Sequence, residues 1–195
     1  MIGATMPDPQ VERPSSQARD VQVTHTGPVF RVERFEYATG GSGARRVKDV
    51  VRHPGAVTVI AVRDDGALVL VRNRRVAVDR WLLEFCAGKL ERGEDPAAAA
   101  ARELEEETGY SAAAIEKLGT FFTSPGFADE IMHVFLATRL TPVPQRLEEG
   151  EEIEVVVLTE QSLRAQIAAG EILDGKTLGA YLLWSMKRSS GGGAS

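Results

Sequence analysis

Two apolar runs, AVTVIAV at residues 56–62 and ALVLVRN at 67–73, flank a turn containing Asp64, Asp65 and Gly66. An Asp-Gly turn between strand-like segments predicts a hairpin. Strands with one solvated face alternate apolar and polar residues, but these runs are almost unbroken. The pattern therefore predicts a hairpin buried on both faces, which most restricts what the rest of the chain can build.

Around that hairpin the periodicity alternates in type. PVFRVERFEYA at 28–38 alternates as a strand does, residues 40–43 (Gly-Gly-Ser-Gly) turn the chain, and ARRVKDVVRH at 44–53 runs back as a second strand. A short strand is expected near Trp81 to Phe85. IEKLGTFFTSP and IMHVFLATRL read as strands on either side of the loop SPGFADE, and IEVVVL reads as another after the acidic loop RLEEGEE. Two helical patterns follow, one with Leu163 and Ile167 four apart, the other with Leu178, Leu182 and Met186 four apart.

The 195 residues suit one well-packed domain, and 43% hydrophobic with 26% charged residues is ordinary for a globular protein. No segment is apolar and long enough to span a bilayer. The first residues lack the basic flank and apolar run of a secretory signal, so a cytoplasmic protein is expected. Cys86 is the single cysteine, and His25, His53 and His133 lack ligand spacing. A thiolate zinc site is thereby disfavoured. The formal net charge of −5 argues against nucleic acid as partner.

The segment GKLERGEDPAAAAARELEEETGY, residues 88–110, carries the chemistry. Asp95 can cap a helix, Pro96 fits its first turn and Gly109 can end it in the left-handed conformation, which predicts a helix over Pro96 to Thr108. Glu103, Glu106 and Glu107 fall on one arc, beside a stripe of Ala97, Ala101, Leu104 and Thr108 expected to pack. Glu103 and Glu107 repel at i,i+4 by about a few tenths of a kcal/mol. Each exposed acid at the helix C-terminus costs roughly 0.3–1 kcal/mol more. Arg102 offsets only part of this. A divalent cation is the missing partner, and an all-oxygen set suits Mg²⁺ or Mn²⁺, which bind substrate phosphates as well. The chemistry this implies is hydrolysis of a phosphoanhydride.

The same segment resembles the Nudix box: Gly88, Glu94, Arg102, Glu103, Leu104, Glu106, Glu107 and Gly109 fill every fixed position, with Tyr110 following. The resemblance runs from about Val29 to Trp184. It implies an α/β/α sandwich with a mixed sheet, plus an N-terminal antiparallel sheet used for dimerisation. The organisation expected is an extension at 1–24, the N-terminal sheet at 25–54, the hydrolase domain at 55–188 and a tail at 189–195. By the same resemblance, Glu103, Glu106, Glu107 and the Ala87 carbonyl hold the metal, Arg102 orients the glutamates, and Glu94 ties the loop to the helix.

VVRHPGAV, LEFCAGKLERGE, EEIEVVVL, DGKTLGAYLLW and the position of Pro125 look like the ADP-ribose pyrophosphatase group. That implies Mg²⁺-dependent hydrolysis of ADP-ribose to AMP and ribose 5-phosphate. The substrate face would comprise Arg52, Arg75 and Gly88, with Pro125, Phe127 and Glu130 from SPGFADE. Glu151 would be the loop base, with Glu152 the adjacent alternative, and Glu106 and Arg102 would complete the catalytic set. Relatives exchange their N-terminal sheets, so a homodimer with a nucleoside pocket across its interface is expected. Two departures stand out: Cys86 replaces a loop proline and reads as packing, and Arg74 replaces a tyrosine. Hydrolysis of GDP-mannose or ADP-glucose, and a non-catalytic ADP-ribose sensor, are the alternatives.

Overall fold

The computed structural model describes residues 18–38 and 44–191. Its strands are β1 (Ala18–Thr26), β2 (Arg31–Ala38), β3 (Arg45–Arg52), β4 (Ala56–Val62), β5 (Leu68–Arg75), β6 (Arg80–Glu84), β7 (Cys86–Lys89), β8 (Tyr110–Phe122), β9 (Ile131–Pro142) and β10 (Ile153–Leu158). The helices are α1 (Pro96–Thr108), α2 (Glu160–Ala168) and α3 (Gly175–Gly191).

The described residues form two compact units, the smaller from 18–38, 44–55 and 122–131 and the larger from 56–121 and 132–191. In the larger unit, strands run β10-β5-β4-β9-β8, with β6 added on β5 and β7 on β4. β4 and β9 are parallel and the other registered pairs antiparallel, so the sheet is mixed.

Side chains alternate across a strand, and β4 divides its own between two cores. Val57, Val59 and Ala61 join Ala99, Ala100 and Leu104 of α1. Ala56 and Ile60 join Leu163 of α2 with Ala180 and Trp184 of α3. The unbroken apolar run is thus explained by helices on both faces, an α/β/α sandwich. No helix among the described residues is long and apolar enough to cross a membrane.

In the smaller unit, β1, β2 and β3 form an antiparallel sheet. Residues 18–24, expected in the extension, lie in β1, paired with β2 from Ala18↔Tyr37 onward. The polar sequence hid this strand because Val21 and Val23, both exposed, stand among polar neighbours, and register shifts interrupt its pairing. The turn expected at 40–43 lies outside the described residues. At the other end, α3 continues to Gly191 through the start of the expected tail.

Helix α1 has its expected bounds but is rolled about its axis. Its buried face is Ala99, Ala100, Glu103, Leu104, Glu107 and Thr108, whereas Ala97 is exposed and Ala101 only half-buried. The small residues of β7, Ala87 and Gly88, let the carboxylate side of the helix come down onto the strand. The consequence is a pair of buried glutamates.

Candidate active site

Helix α1 is fixed at both ends. Asp95 Oδ1 accepts from the N–H groups of Ala97 (2.9 Å) and Ala98 (3.1 Å). Gly109 closes the helix at φ +69°, its N–H donating to the Glu105 carbonyl. Between these ends Glu103 and Glu107 are 8% and 3% exposed. A Cβ at Gly88 would lie 1.9 Å from the Glu103 carboxylate, so only glycine permits this approach.

The two buried acids are compensated differently. Arg102 donates through Nη1 to Glu103 Oε1 (2.8 Å) and Glu106 Oε2 (3.1 Å). Its Nε and Nη2 hold both oxygens of Glu94, at 3.0 and 3.1 Å. Glu94 also accepts from the Glu91 N–H (2.9 Å), which ties the loop to the helix. Hydrogen bonding to Arg102 keeps Glu94 below the usual carboxylate range. Burial still raises Glu103, against the pull of Arg102. Among the described residues, Glu107 receives only the Ala87 N–H, at 3.0 Å. Burial pushes it up to about 8, and the charges of Glu103 and Glu151 add to that push.

Among the described residues, no group of three His, Cys, Asp or Glu side chains is assembled to hold a metal. The reason is local: Arg102 draws Glu103 and Glu106 to itself, while Glu107 rests on the Ala87 amide. The donor chemistry nevertheless fits a hard divalent cation. All the side-chain donors are carboxylate oxygens, Glu103 lies close over the bare backbone of Gly88, and Glu107 is a desolvated acid with no cationic hydrogen-bond donor among the described residues.

A strap following β9 caps the same helix. Val143 N–H donates to the Gly109 carbonyl (2.9 Å), Arg146 N–H to Glu106 (3.0 Å), and Gln145 Nε2 to Glu107 (2.6 Å). These donors satisfy carbonyls that a helix C-terminus leaves without partners. They also bring the chain round to Gly150, at φ +88°, and Glu151. Glu151 is exposed and accepts from the Glu148 N–H (2.9 Å), and its charge raises both Glu103 and Glu107. Glu152 instead uses its carbonyl to accept from the Arg74 N–H (3.1 Å).

Arg75 completes this cluster. Its Nε and Nη2 form a fork on Glu84 at 2.8 and 2.6 Å, and its charge acts on Glu107. Glu84 has no exposed surface. The short-range sequence pattern gave no signal for it, nor for Gln145. Cys86 is buried against the Val59 carbonyl, and burial pushes its thiol well up, in keeping with packing.

The remaining expected substrate residues lie in the smaller unit. The SPGFADE loop is bonded to β3: Val51 N–H donates to the Phe127 carbonyl (2.8 Å) and Asp129 N–H to Val51 (3.1 Å). Arg52 is 11% exposed in its side chain, with Nε on Glu33 (2.7 Å) and Nη1 on Asp129 (3.1 Å). Its charge is already matched by two acids. Glu130 accepts from Thr123 Oγ1 (2.6 Å), while Pro125 and Phe127 are exposed. Beside Arg52 is a cavity of about 270 Å³ lined by Phe30, Arg31, His53 and Pro54 among others.

The chain is similar to proteins of known family. The NUDIX domain family matches residues 52–176. An ADP-ribose pyrophosphatase of Bacillus subtilis (strain 168) is 42% identical over 160 residues, 81% of this chain and 85% of that protein. A methanol dehydrogenase activator of Bacillus methanolicus is 42% identical over 151 residues, 76% of this chain and 80% of that one. The crystal structure of an ADP compounds hydrolase shares the fold, with a TM-score of 0.78 at 23% identity over 91% of this chain and 96% of that one.

The position of Glu107 has a consequence for stability. Its folded pKa of about 8 lies above the ordinary 4.5. Folding therefore takes up a proton, and the stability this contributes is full below pH 4.5 and lost as pH rises through 8. In chelator-treated protein the loss should be on the order of a few kcal/mol. Urea denaturation at pH 5 and pH 8 should show the decline in the native sequence and a much smaller one in Glu107→Gln. Equal declines in both would assign the proton elsewhere.

Proposed function

As the chain belongs to the NUDIX domain family, we propose that it is a cytoplasmic hydrolase of the ADP-ribose diphosphate, releasing AMP and ribose 5-phosphate by water attack. The observation that carries this reading is the buried Glu103–Glu107 pair on the Gly88 backbone, flanked by the cations Arg102 and Arg75. A charge arrangement of this kind costs stability unless a cation and a polyanion are to be bound.

Glu103, Glu106, Glu107 and the Ala87 carbonyl would hold Mg²⁺, or Mn²⁺ in its place. When bound, such an ion supplies charge neutralisation at the diphosphate and lowers the pKa of water. The protein groups do the rest. Arg102 holds Glu103 and Glu106 at fixed orientations through its own anchorage on Glu94. Arg75, fixed on Glu84, keeps Nη1 without a carboxylate partner among the described residues, and this edge would contact a phosphate oxygen. Glu151 would orient the attacking water and take its proton. Its charge reaches Glu103 and Glu107, whereas Glu152 is engaged through its backbone with β5, and this favours Glu151 as the base. Gly150, in the left-handed region, supplies a joint on which the end of the strap can close.

Within the smaller unit, the cavity beside Arg52 offers Phe30 as an aromatic surface and Arg31 as a donor. Arg52 would act there by orienting Glu33 and the SPGFADE loop, since both of its acidic partners are already bound. The name of the Bacillus methanolicus relative describes action on another enzyme. For this chain the complete carboxylate set favours turnover of a small molecule.

The deciding assay compares kcat/KM for ADP-ribose, ADP-glucose, GDP-mannose and nucleoside triphosphates with Mg²⁺. ADP-ribose should be preferred; preference for another sugar would redirect the substrate assignment, and tight ADP-ribose binding without turnover would identify a sensor. Glu151→Gln should lower kcat by on the order of 10²-fold with KM little changed, as loss of a general base does. Glu149→Gln should be nearly silent. Full kcat in Glu151→Gln with loss in Glu152→Gln would move the base by one residue.

The N-terminal sheet carries exposed Val21, Val23 and Val47, and with the family resemblance this supports a homodimer built through it. Light scattering should find two chains per particle. A chain shortened to begin at residue 45 should lose the dimer and raise KM for ADP-ribose; unchanged KM in a monomer would exclude a shared site.

A further inference from the structure

The segment Asp174-Gly175-Lys176-Thr177 has no part in the hydrolytic chemistry described above, yet its side chains make hydrogen bonds to one another and across to the strands. Asp174 is 8% exposed and caps α3: its Oδ2 accepts from the Thr177 N–H (2.9 Å) and hydroxyl (2.7 Å). Its other oxygen accepts from Lys176 Nζ at 2.6 Å. Burial would raise this acid, but Lys176 and Thr177 hold it below the usual carboxylate range.

From this cap two contacts cross to the strands that carry the active site. The Thr177 hydroxyl accepts from the Phe85 N–H at 3.0 Å, just ahead of the Cys86–Gly88 cradle. Lys176 Nζ donates to Glu84 Oε2 at 3.0 Å, the same oxygen that takes Arg75 Nη2 at 2.6 Å. Glu84 is fully buried, so all its hydrogen-bonding capacity must be met inside the protein. Arg75 alone can satisfy both oxygens in a planar fork, but a planar pair can still pivot as a unit. Lys176, approaching from α3 and anchored on Asp174, supplies a third fixed point.

We propose that Lys176 is a positioning residue that acts through Glu84 to orient the Arg75 guanidinium toward a phosphate of the bound nucleotide sugar. This rests on the reading of Arg75 as a phosphate contact. The expected signature is a binding defect. Chemistry at the water side should continue, while the phosphate is held by an arginine that samples several directions.

The test is a double-mutant cycle on kcat/KM for ADP-ribose, with thermal melting recorded for each protein. Lys176→Met should lower kcat/KM about tenfold, mainly through KM, since misplacement of a binding group by a fraction of an ångström has effects of this order. Arg75→Ala should lower it further, and the double variant should be no worse than Arg75→Ala within about twofold. Asp174→Asn, which keeps the cap but withdraws the charge from Lys176, should give a smaller defect in the same direction and serves if Lys176→Met does not fold. A substrate-independent readout is the NMR signal of the Arg75 Nε–H, assigned by its absence in Arg75→Ala. It should be sharp and protected from exchange in the native protein and broadened or exchanging in Lys176→Met.

Multiplied defects in the double variant would mean that Lys176 acts independently of Arg75 and would overturn the proposal. So would a lowered melting temperature with unchanged kcat/KM and an unchanged Arg75 signal, the result of a purely structural role. If Arg75→Ala itself left kcat/KM unchanged, the phosphate-contact reading would fall and the proposal with it. That outcome is distinct from one in which Arg75 matters and Lys176 does not.

Discussion

The approach of two glutamates to the backbone at Gly88 is the constraint on which the site depends. Burying Glu103 and Glu107 beside each other raises the cost of ionising either one, and nothing within the larger unit fully repays it. Arg102 divides its guanidinium among Glu94, Glu103 and Glu106, and a single positive charge cannot neutralise three acids. The protein accepts the penalty because α1 is secured by other means: the Asp95 cap, the Ala99-Ala100-Leu104 contact with the sheet and the strap over its last carbonyls. A stable frame thus carries an electrostatically unsatisfied centre. Oxygen ligands in that condition suit a hard divalent cation together with a phosphate.

The same logic extends outward through paired charges. Arg75 is held by Glu84, Glu84 by Lys176, and Lys176 by Asp174 at the start of α3. In the smaller unit Arg52 is held between Glu33 and Asp129. Each guanidinium has at least two of its nitrogens committed, which removes side-chain freedom before any ligand arrives. Arginines positioned in this way orient what they touch more than they attract it from a distance.

Much of this was legible from local pattern. The unbroken apolar run in β4 demanded cover on both faces, and the two cores on either side of it supply that cover. Asp95, Pro96 and Gly109 bounded α1 because capping chemistry is local to a few residues. β1 escaped notice because an edge strand with register shifts and exposed valines lacks clean alternation. The packed stripe of α1 is rotated about the helix axis from the one its periodicity predicts. Periodicity ranks residues by hydrophobicity and could not anticipate that glycine and alanine in β7 would draw charged residues inward.

The sequence by itself determined the identity of the acids, their spacing on one helix and most of the surrounding strands and helices, though not β7, on which the glutamates rest. Those properties follow from residue type and from separations of a few positions. Only the tertiary structure decided which acids are buried, that the charge of Glu151 reaches Glu103 and Glu107, that Arg52 is already paired, and that Lys176 and Glu84, ninety-two positions apart, share a hydrogen bond. Desolvation and ion pairing depend on distances in space, and those distances are set when β-strands and helix ends remote in sequence are packed into one core.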